Sequence, residues 1–327
     1  MHTITRAYFT VLAQALVQAG APVDPQDTLP GAGGRHLKLV AVYRWLETLV
    51  LQSGDEDLGV RVHAHAHPAM LGQLGFAVMS CATVGEALQR LATYHPLTSN
   101  GSILRLEQRA QGTRLIGFEV GPPAPRAFID AGAAMTLGLL HWLAPGSRFT
   151  PLAMEFAYPE PADTRALRRL FGEQLAFDRP YNSMLLPEAV CRLTLPTASP
   201  ALNLMHGEYV AARLEERING SMAAKVRRTL SERLALGQPL GLEALATELR
   251  VSRRSLQNAL DREGVSYSAL LDETRLGHAH SLLRDSVRSL KYIGAALGFR
   301  DPSSFHKACL RWFGVPPGEY RLLREVL

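Results

Sequence analysis

The chain of 327 residues has three cysteines, Cys81, Cys191 and Cys309, far apart and never as CxxC. An odd, scattered set argues against a disulfide framework or a structural zinc site, and it fits a reducing compartment. The opening "MHTITRAYFT" lacks the charged start and apolar run of a secretory leader. The most apolar stretch, "AFIDAGAAMTLGLLHWLA", contains Asp130 and His141 and is barely long enough to span a bilayer, so a buried helix is expected. No nucleophile elbow, P-loop or dinucleotide fingerprint is present, so an enzyme is not expected, nor is a cofactor. A globular protein of the cytoplasm is expected.

Positive charge is present but unevenly spread. The formal net charge is +5, and residues 221–327 alone hold 17 Lys/Arg against 11 Asp/Glu. The rest of the chain is therefore close to neutral, and the excess points to an anionic partner for the last third. A length of 327 residues suits two domains. The pattern places them at 1–220 and 221–327, divided where Asn219-Gly220 is expected to break a helix.

The first part reads as α+β, with a mixed sheet of about five strands. Helices are expected over 3–19, in "RHLKLVAVYRWLETLVLQSG", and in "APRAFIDAGAAMTLGLLHWL". "PVDPQDTLPGAGG" is a loop. Thr83 with Glu86 three residues on forms a capping box that starts another helix. "SILRLEQ" and "RLIGFEV" alternate about a Gly-containing turn, the signature of a β-hairpin. "PLAMEFAY", "QLAFD" and "NSMLLP" supply further strands, with the short helix "ADTRALRRLFG" between the first two. A helix from Pro200 to Ile218 carries Leu202, Met205, Tyr209 and Ala212 on one stripe. That stripe suits either pairing of chains as a homodimer or packing on the first domain.

The tail is all-α and reads as two helix–turn–helix units. In "LEALATELRVSRRSLQNALDREG", Leu242, Leu245 and Ala246 face Leu256 and Leu260, and Ser252 caps the second helix. In "LKYIGAALGFRDPSSFHKACLRWFG", Ile293, Ala296 and Leu297 face Phe305, Cys309 and Trp312 or Phe313. Gly298 makes that turn, Asp301 caps the next helix and Pro302 occupies its first position. Ser252 and Asp301 open equivalent helices 49 residues apart, with one long connecting helix between. A connector of about 25 Å could place both second helices in successive major-groove segments, about 34 Å apart.

From about Leu242 to Arg321 the tail resembles the DNA-binding domain of AraC/XylS-type transcription regulators. The likeness rests on "LATELRVSRRSLQNAL", "RLGHAHSLL" and above all "IGAALGFRDPSSFHKACLRWFGVPPGEY". It implies groove-facing positions at Arg254, Gln257 and Asn258, and at Pro302, Ser303, His306 and Lys307. The helical wheel agrees, since these lie opposite the apolar residues. Gln and Asn can pair bidentately with adenine and Arg with guanine, whereas Arg253, Lys307 and Arg311 suit phosphate. Gly294 stands where the family usually has Ala, Cys309 where it has Phe, and Leu310 where a basic residue is common. Those departures are expected to loosen the second unit and remove one phosphate contact.

The front part, through "LGVRVHAHAHPAMLGQLGFAVMSCATVGEALQRLATYH" and "RLFGEQLAFDRPYNSMLLPEAVCRLTLP", resembles the non-cupin, arabinose-binding-like effector domain of some of these regulators. The resemblance implies a small-molecule sensor and leaves the molecule open. Tyr94, His95, Phe128, His141 and Trp142 are candidate effector contacts, weighed against ordinary core packing. His63, His65 and His67 alternate, so an extended segment would aim all three to one face and make a metal-responsive regulator the alternative. The other reading is a polar connector ending at Pro68. A DNA-modifying enzyme with the same kind of tail is a further alternative, which the scattered cysteines oppose. The partners expected are double-stranded operator DNA, a small-molecule effector, RNA polymerase and a second copy of the chain, with no membrane.

Overall fold

The computed structural model describes residues 2–22, 36–120 and 123–322. The loop "PVDPQDTLPGAGG" lies almost wholly outside them. The chain forms two compact units, one spanning His2–Leu214 and the other beginning at Glu215. The division falls inside a helix, Pro200–Gly220, which ends at the expected Asn219-Gly220. Ser221 then caps the next helix by accepting from the Ala224 N–H at 3.1 Å. Among the described residues no helix is long and apolar enough to cross a membrane.

In the front unit two expected helices start later than their apolar periods suggest. Thr3–Thr5 (β1) pairs antiparallel with His36–Lys38 (β2), and helices Arg6–Gln18 and Leu39–Ser53 follow directly. The side chain of Asn100 accepts from the Thr3 N–H at 2.6 Å, which holds β1 extended. Thr5 is at once the end of a strand and the N-cap of the helix.

The main sheet contains Ser102–Arg109 (β3), Gly112–Glu119 (β4), Ala153–Glu155 (β5), Leu175–Ala176 (β6) and Asn182–Pro187 (β7), in the order β3-β4-β7-β5-β6. The hairpin β3–β4 registers Leu104 with Gly117 and Leu106 with Leu115. β6 joins β5 in parallel and β7 inserts between β4 and β5, so the last two strands do not pair with each other. Helix Arg126–Leu143 crosses the unit as an almost fully apolar rod. Its Asp130 is wholly buried, accepts the Tyr158 hydroxyl proton and lies 3.2 Å from Arg126 Nε. Burial still pushes its carboxyl up to about 6 against those two partners.

The second unit is helical throughout its described residues: Met222–Ala235, Leu242–Glu248, Arg253–Arg262, Tyr267–Asp285, Leu290–Ala296, Pro302–Phe313 and Pro317–Leu322. Glu263, just past the third of these, accepts from the Met222 and Ala223 N–H groups at 2.6 and 2.8 Å. It thereby satisfies two free donors at the start of the first helix. Val226, Leu230, Leu245, Leu256, Leu260 and Leu270 form one apolar core. Ile293, Leu297, Phe305, Cys309, Phe313 and Tyr320 are buried further along, with Tyr320 stacked on Phe313 at 3.9 Å.

Candidate DNA interface and effector cavity

Both helix pairs of the second unit turn through the same backbone device. In the first, Arg250 N–H donates to Thr247 O at 3.1 Å and Val251 N–H to Ala246 O at 3.0 Å. In the second, Gly298 N–H donates to Ala295 O at 2.9 Å and Phe299 N–H to Gly294 O at 3.0 Å. This is a Schellman end, and it needs a left-handed residue. Gly298 supplies it at φ 72°, while the first unit uses Arg250 at φ 55°.

The second helix of each pair starts on a side-chain cap. Ser252 accepts from the Ser255 N–H at 3.1 Å, and Asp301 from the Ser304 N–H at 2.8 Å. Asp301 also accepts from the Ser304 hydroxyl at 2.8 Å, and these bonds hold its carboxyl below the usual range. With the caps fixed, Leu256 and Leu260 point inward, and Arg253, Arg254, Gln257 and Asn258 are all exposed. Phe305 and Cys309 point inward likewise, leaving Pro302, Ser303, His306, Lys307 and Arg311 exposed. Each face thus brings together the residues expected on it. Arg311 is engaged, since its Nη2 donates to Asp272 at 2.6 Å, and Trp312 Nε1 donates to the same carboxylate at 2.9 Å. Arg253 lies 3.8 Å from Glu243, both exposed, a pair worth little in water.

Two supports escaped the sequence reading. Arg275, on the connecting helix, donates from Nε to Leu297 O at 2.8 Å and from Nη2 to Gly298 O at 2.7 Å, with its guanidinium 4.4 Å from the Phe299 ring centroid. It clamps the second turn from outside. Asp272, one turn earlier, orients Arg311 and Trp312. Their signal was an acid and an arginine three residues apart on one helix, which side chains elsewhere in the chain had to complete.

Gly294 sits directly against Phe305. A Cβ there would meet Phe305 side-chain atoms at 3.3 Å, a tight fit that the bare glycine avoids.

The front unit holds a cavity of about 160 Å³ between the sheet, helix Arg126–Leu143 and the N-terminal helix. Met70, Leu104, Leu115, Ile129 and Met184 give it an apolar lining. His95 and Phe128, of the five candidate contacts, are in that lining. His95 Nε2 is 3.0 Å from Ser102 Oγ, and burial lowers its pKa to about 4, so the ring is neutral. Tyr94 is half-buried against the core. His141 and Trp142 lie outside the lining. His141 donates from Nε2 to Phe149 O at 2.8 Å, so its Nδ1 is free to accept from His63 Nε2 at 3.0 Å. Trp142 is partly exposed and packs edge-on against His67.

The three alternate histidines do not share one extended segment. Val62–His65 is a tight 3-10 turn, and His67 caps the next one by accepting from the Ala69 N–H at 3.1 Å. His63 is spent on His141, and burial, with His141 and Arg148 adding to it, lowers its pKa to about 4. Among the described residues no group of three His, Cys, Asp or Glu side chains could hold a metal ion.

Residues 10–195 match the family model described as the arabinose-binding domain of AraC transcription regulators, and residues 245–322 match a helix-turn-helix domain. The chain belongs to the AraC family of DNA-binding transcription regulators. It is 31% identical over 268 residues to the ornithine utilization regulator of Pseudomonas aeruginosa, covering 81% of this chain and 77% of that protein. It is 24% identical over 296 residues to the transcriptional regulator VirS of Mycobacterium tuberculosis, covering 87% of this chain and 84% of that one. The crystal structure of the transcriptional regulator CdpR from Pseudomonas aeruginosa aligns over 96% of this chain and 97% of its own, at 22% identity and a TM-score of 0.48. As an AraC-type regulator it has a ligand-sensing front domain joined to a DNA-binding tail, and the matches favour neither the metal-responsive nor the enzymatic alternative.

Proposed function

We propose that this regulator faces operator DNA with Arg254, Gln257 and Asn258 in one major-groove segment and with Pro302, Ser303, His306 and Lys307 in the next. Arg253, Lys307 and Arg311 hold the phosphates, Arg311 by exchanging or sharing its bond to Asp272. The observation that carries this reading is the pair of exposed polar helix faces, each set by its own cap over a buried apolar face. Gln257 and Asn258 offer the donor–acceptor pairs that adenine needs, whereas the second face offers mostly single donors. In the full chain, Gln257→Ala or Asn258→Ala should relax base preference at one position and cost about 1–3 kcal/mol on the preferred site. Lys307→Ala should weaken every sequence alike. Unchanged site-selection profiles in both first-unit variants would place the reading face elsewhere.

The cavity of the front unit is the effector site in this proposal, with His95 and Phe128 among its contacts. The protein acts in the cytoplasm as a homodimer, and RNA polymerase is the partner that receives the signal. Support for pairing comes from helix Pro200–Gly220. It turns Asn203, His206 and Val210 inward, where Asn203 Oδ1 accepts from Arg90 at 2.7 Å and His206 Nδ1 lies 3.2 Å from Ser80 Oγ. Leu202, Met205 and Tyr209 remain 45%, 54% and 43% exposed, so the stripe is not packed away. Two tails on adjacent half-sites would raise each other's effective concentration. Sedimentation should give a dimer for the full chain and a folded monomer for Leu202→Glu/Met205→Glu. A dimer that survives both charges would remove this helix from the interface.

A further inference from the structure

The lining of the front cavity is one-sided in charge. Its ionisable side chains are Tyr8, His95 and Glu119, and it includes no Lys or Arg. His95 is neutral with its pKa at about 4, and burial holds Tyr8 at about 12, so Glu119 is the only group able to bear charge near neutral pH. Glu119 ends β4 on the same side as Leu115 and Gly117, so strand alternation aims it at the cavity. Its carboxylate has no hydrogen bond or ion pair among the described residues. Glu119 is half-buried, whereas two hydroxyls, Thr98 Oγ1 in the lining and Tyr43 Oη, are buried without a hydrogen-bond partner among the described residues. Tyr43 is close enough to Glu119 for the carboxylate to raise its pKa. Buried polar groups in native proteins are almost always paired, and unpaired ones mark a missing partner.

We propose that the effector is a small organic cation, a protonated amine on an apolar body, with its ammonium on Glu119 and Thr98 and its body against the apolar wall. This rests on the reading of the cavity as the effector site. An ammonium brings the charge that Glu119 lacks and three donors to share among the unpaired oxygens. An anion would face Glu119 with no cation in the lining to offset it, and a neutral ligand could at best donate a hydrogen bond to the carboxylate without compensating its charge. An apolar cavity of roughly 150 Å³ accepts benzene, so a body of about one ring suits this one.

Benzylamine, benzyl alcohol and benzoate share one ring and differ in charge, which makes them the probes. Calorimetric titration of the full chain at pH 8 should find benzylamine at least about tenfold tighter than the alcohol and benzoate weakest. Glu119→Gln, with folding checked by its thermal transition, should bind amine and alcohol alike. Burial raises the Glu119 carboxyl to about 7, so it is mostly ionised at pH 8 and mostly protonated at pH 6. Benzylamine should therefore bind about tenfold more weakly at pH 6, and benzyl alcohol equally at both. The other ionisable groups around Glu119 stay neutral across that window: Tyr8 on the first helix, Tyr43 on the second and His95 beyond Tyr94. Helix Arg126–Leu143 and the adjoining strands add none to the lining.

Equal or tighter binding of benzyl alcohol or benzoate to the wild type would overturn the cation assignment and leave the cavity as an effector site. Binding of none of the three would overturn both. A flat pH profile for benzylamine would remove Glu119 as its partner. The wild-type charge series and pH profile decide the matter even if Glu119→Gln fails to fold.

Discussion

The two helix–turn–helix units solve one geometric problem with different residues. In the first, Ala246 on the leading helix matches Leu256 on the following one. At the equivalent positions the second unit has Gly294 and Phe305, and the glycine makes room for the ring. The pair keeps a similar volume with the bulk moved from one helix to the other, as packed cores allow. The first turn accepts Arg250 in a left-handed conformation that costs an L-residue about 1 kcal/mol, whereas the second uses Gly298. The second turn instead carries an external clamp, Arg275 on two carbonyls and the Phe299 ring. The exposed faces that we propose meet DNA differ as well. The first offers Gln and Asn, which pair with base edges, and the second offers Ser, His and Lys, which suit single contacts and phosphate. On the proposed reading, the first unit specifies and the second anchors.

Removing the clamp should have the largest effect on that contrast. Arg275→Ala deletes two charge-assisted bonds to the helix-end carbonyls of Leu297 and Gly298 and should cost about 3 kcal/mol, read from chemical denaturation of the full chain. Its remaining DNA binding should keep the base preference of the first unit; loss of that preference would mean the units do not divide the work. Gly294→Ala should destabilise by about 1–2 kcal/mol through overpacking on Phe305. Adding Phe305→Leu, which recreates the first unit's pair, should restore part of the loss, and simple additivity of the two would break the volume-swap account. Arg250→Gly should give the smallest change, a gain of about 0.5 kcal/mol once the added freedom of the unfolded chain is subtracted. A loss instead would show that the Arg250 side chain contributes more than its backbone strain costs.

Much of the tail could be read from the sequence, because short helices with strict apolar spacing, side-chain caps and a turn glycine each have local signatures. Ser252, Asp301 and Pro302 mark helix starts regardless of what packs on them. Arg275 was not readable, because its partners are the backbone carbonyls of Leu297 and Gly298, which carry no residue-type signal. In the front unit the hairpin β3–β4 was visible as alternation about a turn. The strand Thr3–Thr5 was not, since three residues have no period and their pairing comes from His36–Lys38 and Asn100, distant in sequence. Of the cavity residues, His95 and Phe128 were named among aromatic and polar-tipped candidates. Glu119 has a usable sign, a carboxylate on the Leu115/Gly117 side of an alternating strand, but only the fold shows that this side faces a cavity. His63, His65 and His67 misled in one respect, because alternation in sequence defines a common face only in an extended segment, and this one is coiled into a 3-10 turn.

The central claim is that both exposed helix faces meet DNA and that only the first carries most of the base reading. Binding-site selection from random duplexes with the full chain, its Asn258→Ala variant and its Lys307→Ala variant tests it most directly. The wild type should select two short motifs about one helical turn apart, with affinity falling roughly as the fifth power of salt for about six neutralised phosphates. Asn258→Ala should blur one position of one motif, and Lys307→Ala should leave the selected sequence unchanged while weakening every site. A single unaltered motif in all three proteins, or affinity indifferent to salt between about 50 and 200 mM, would contradict the account.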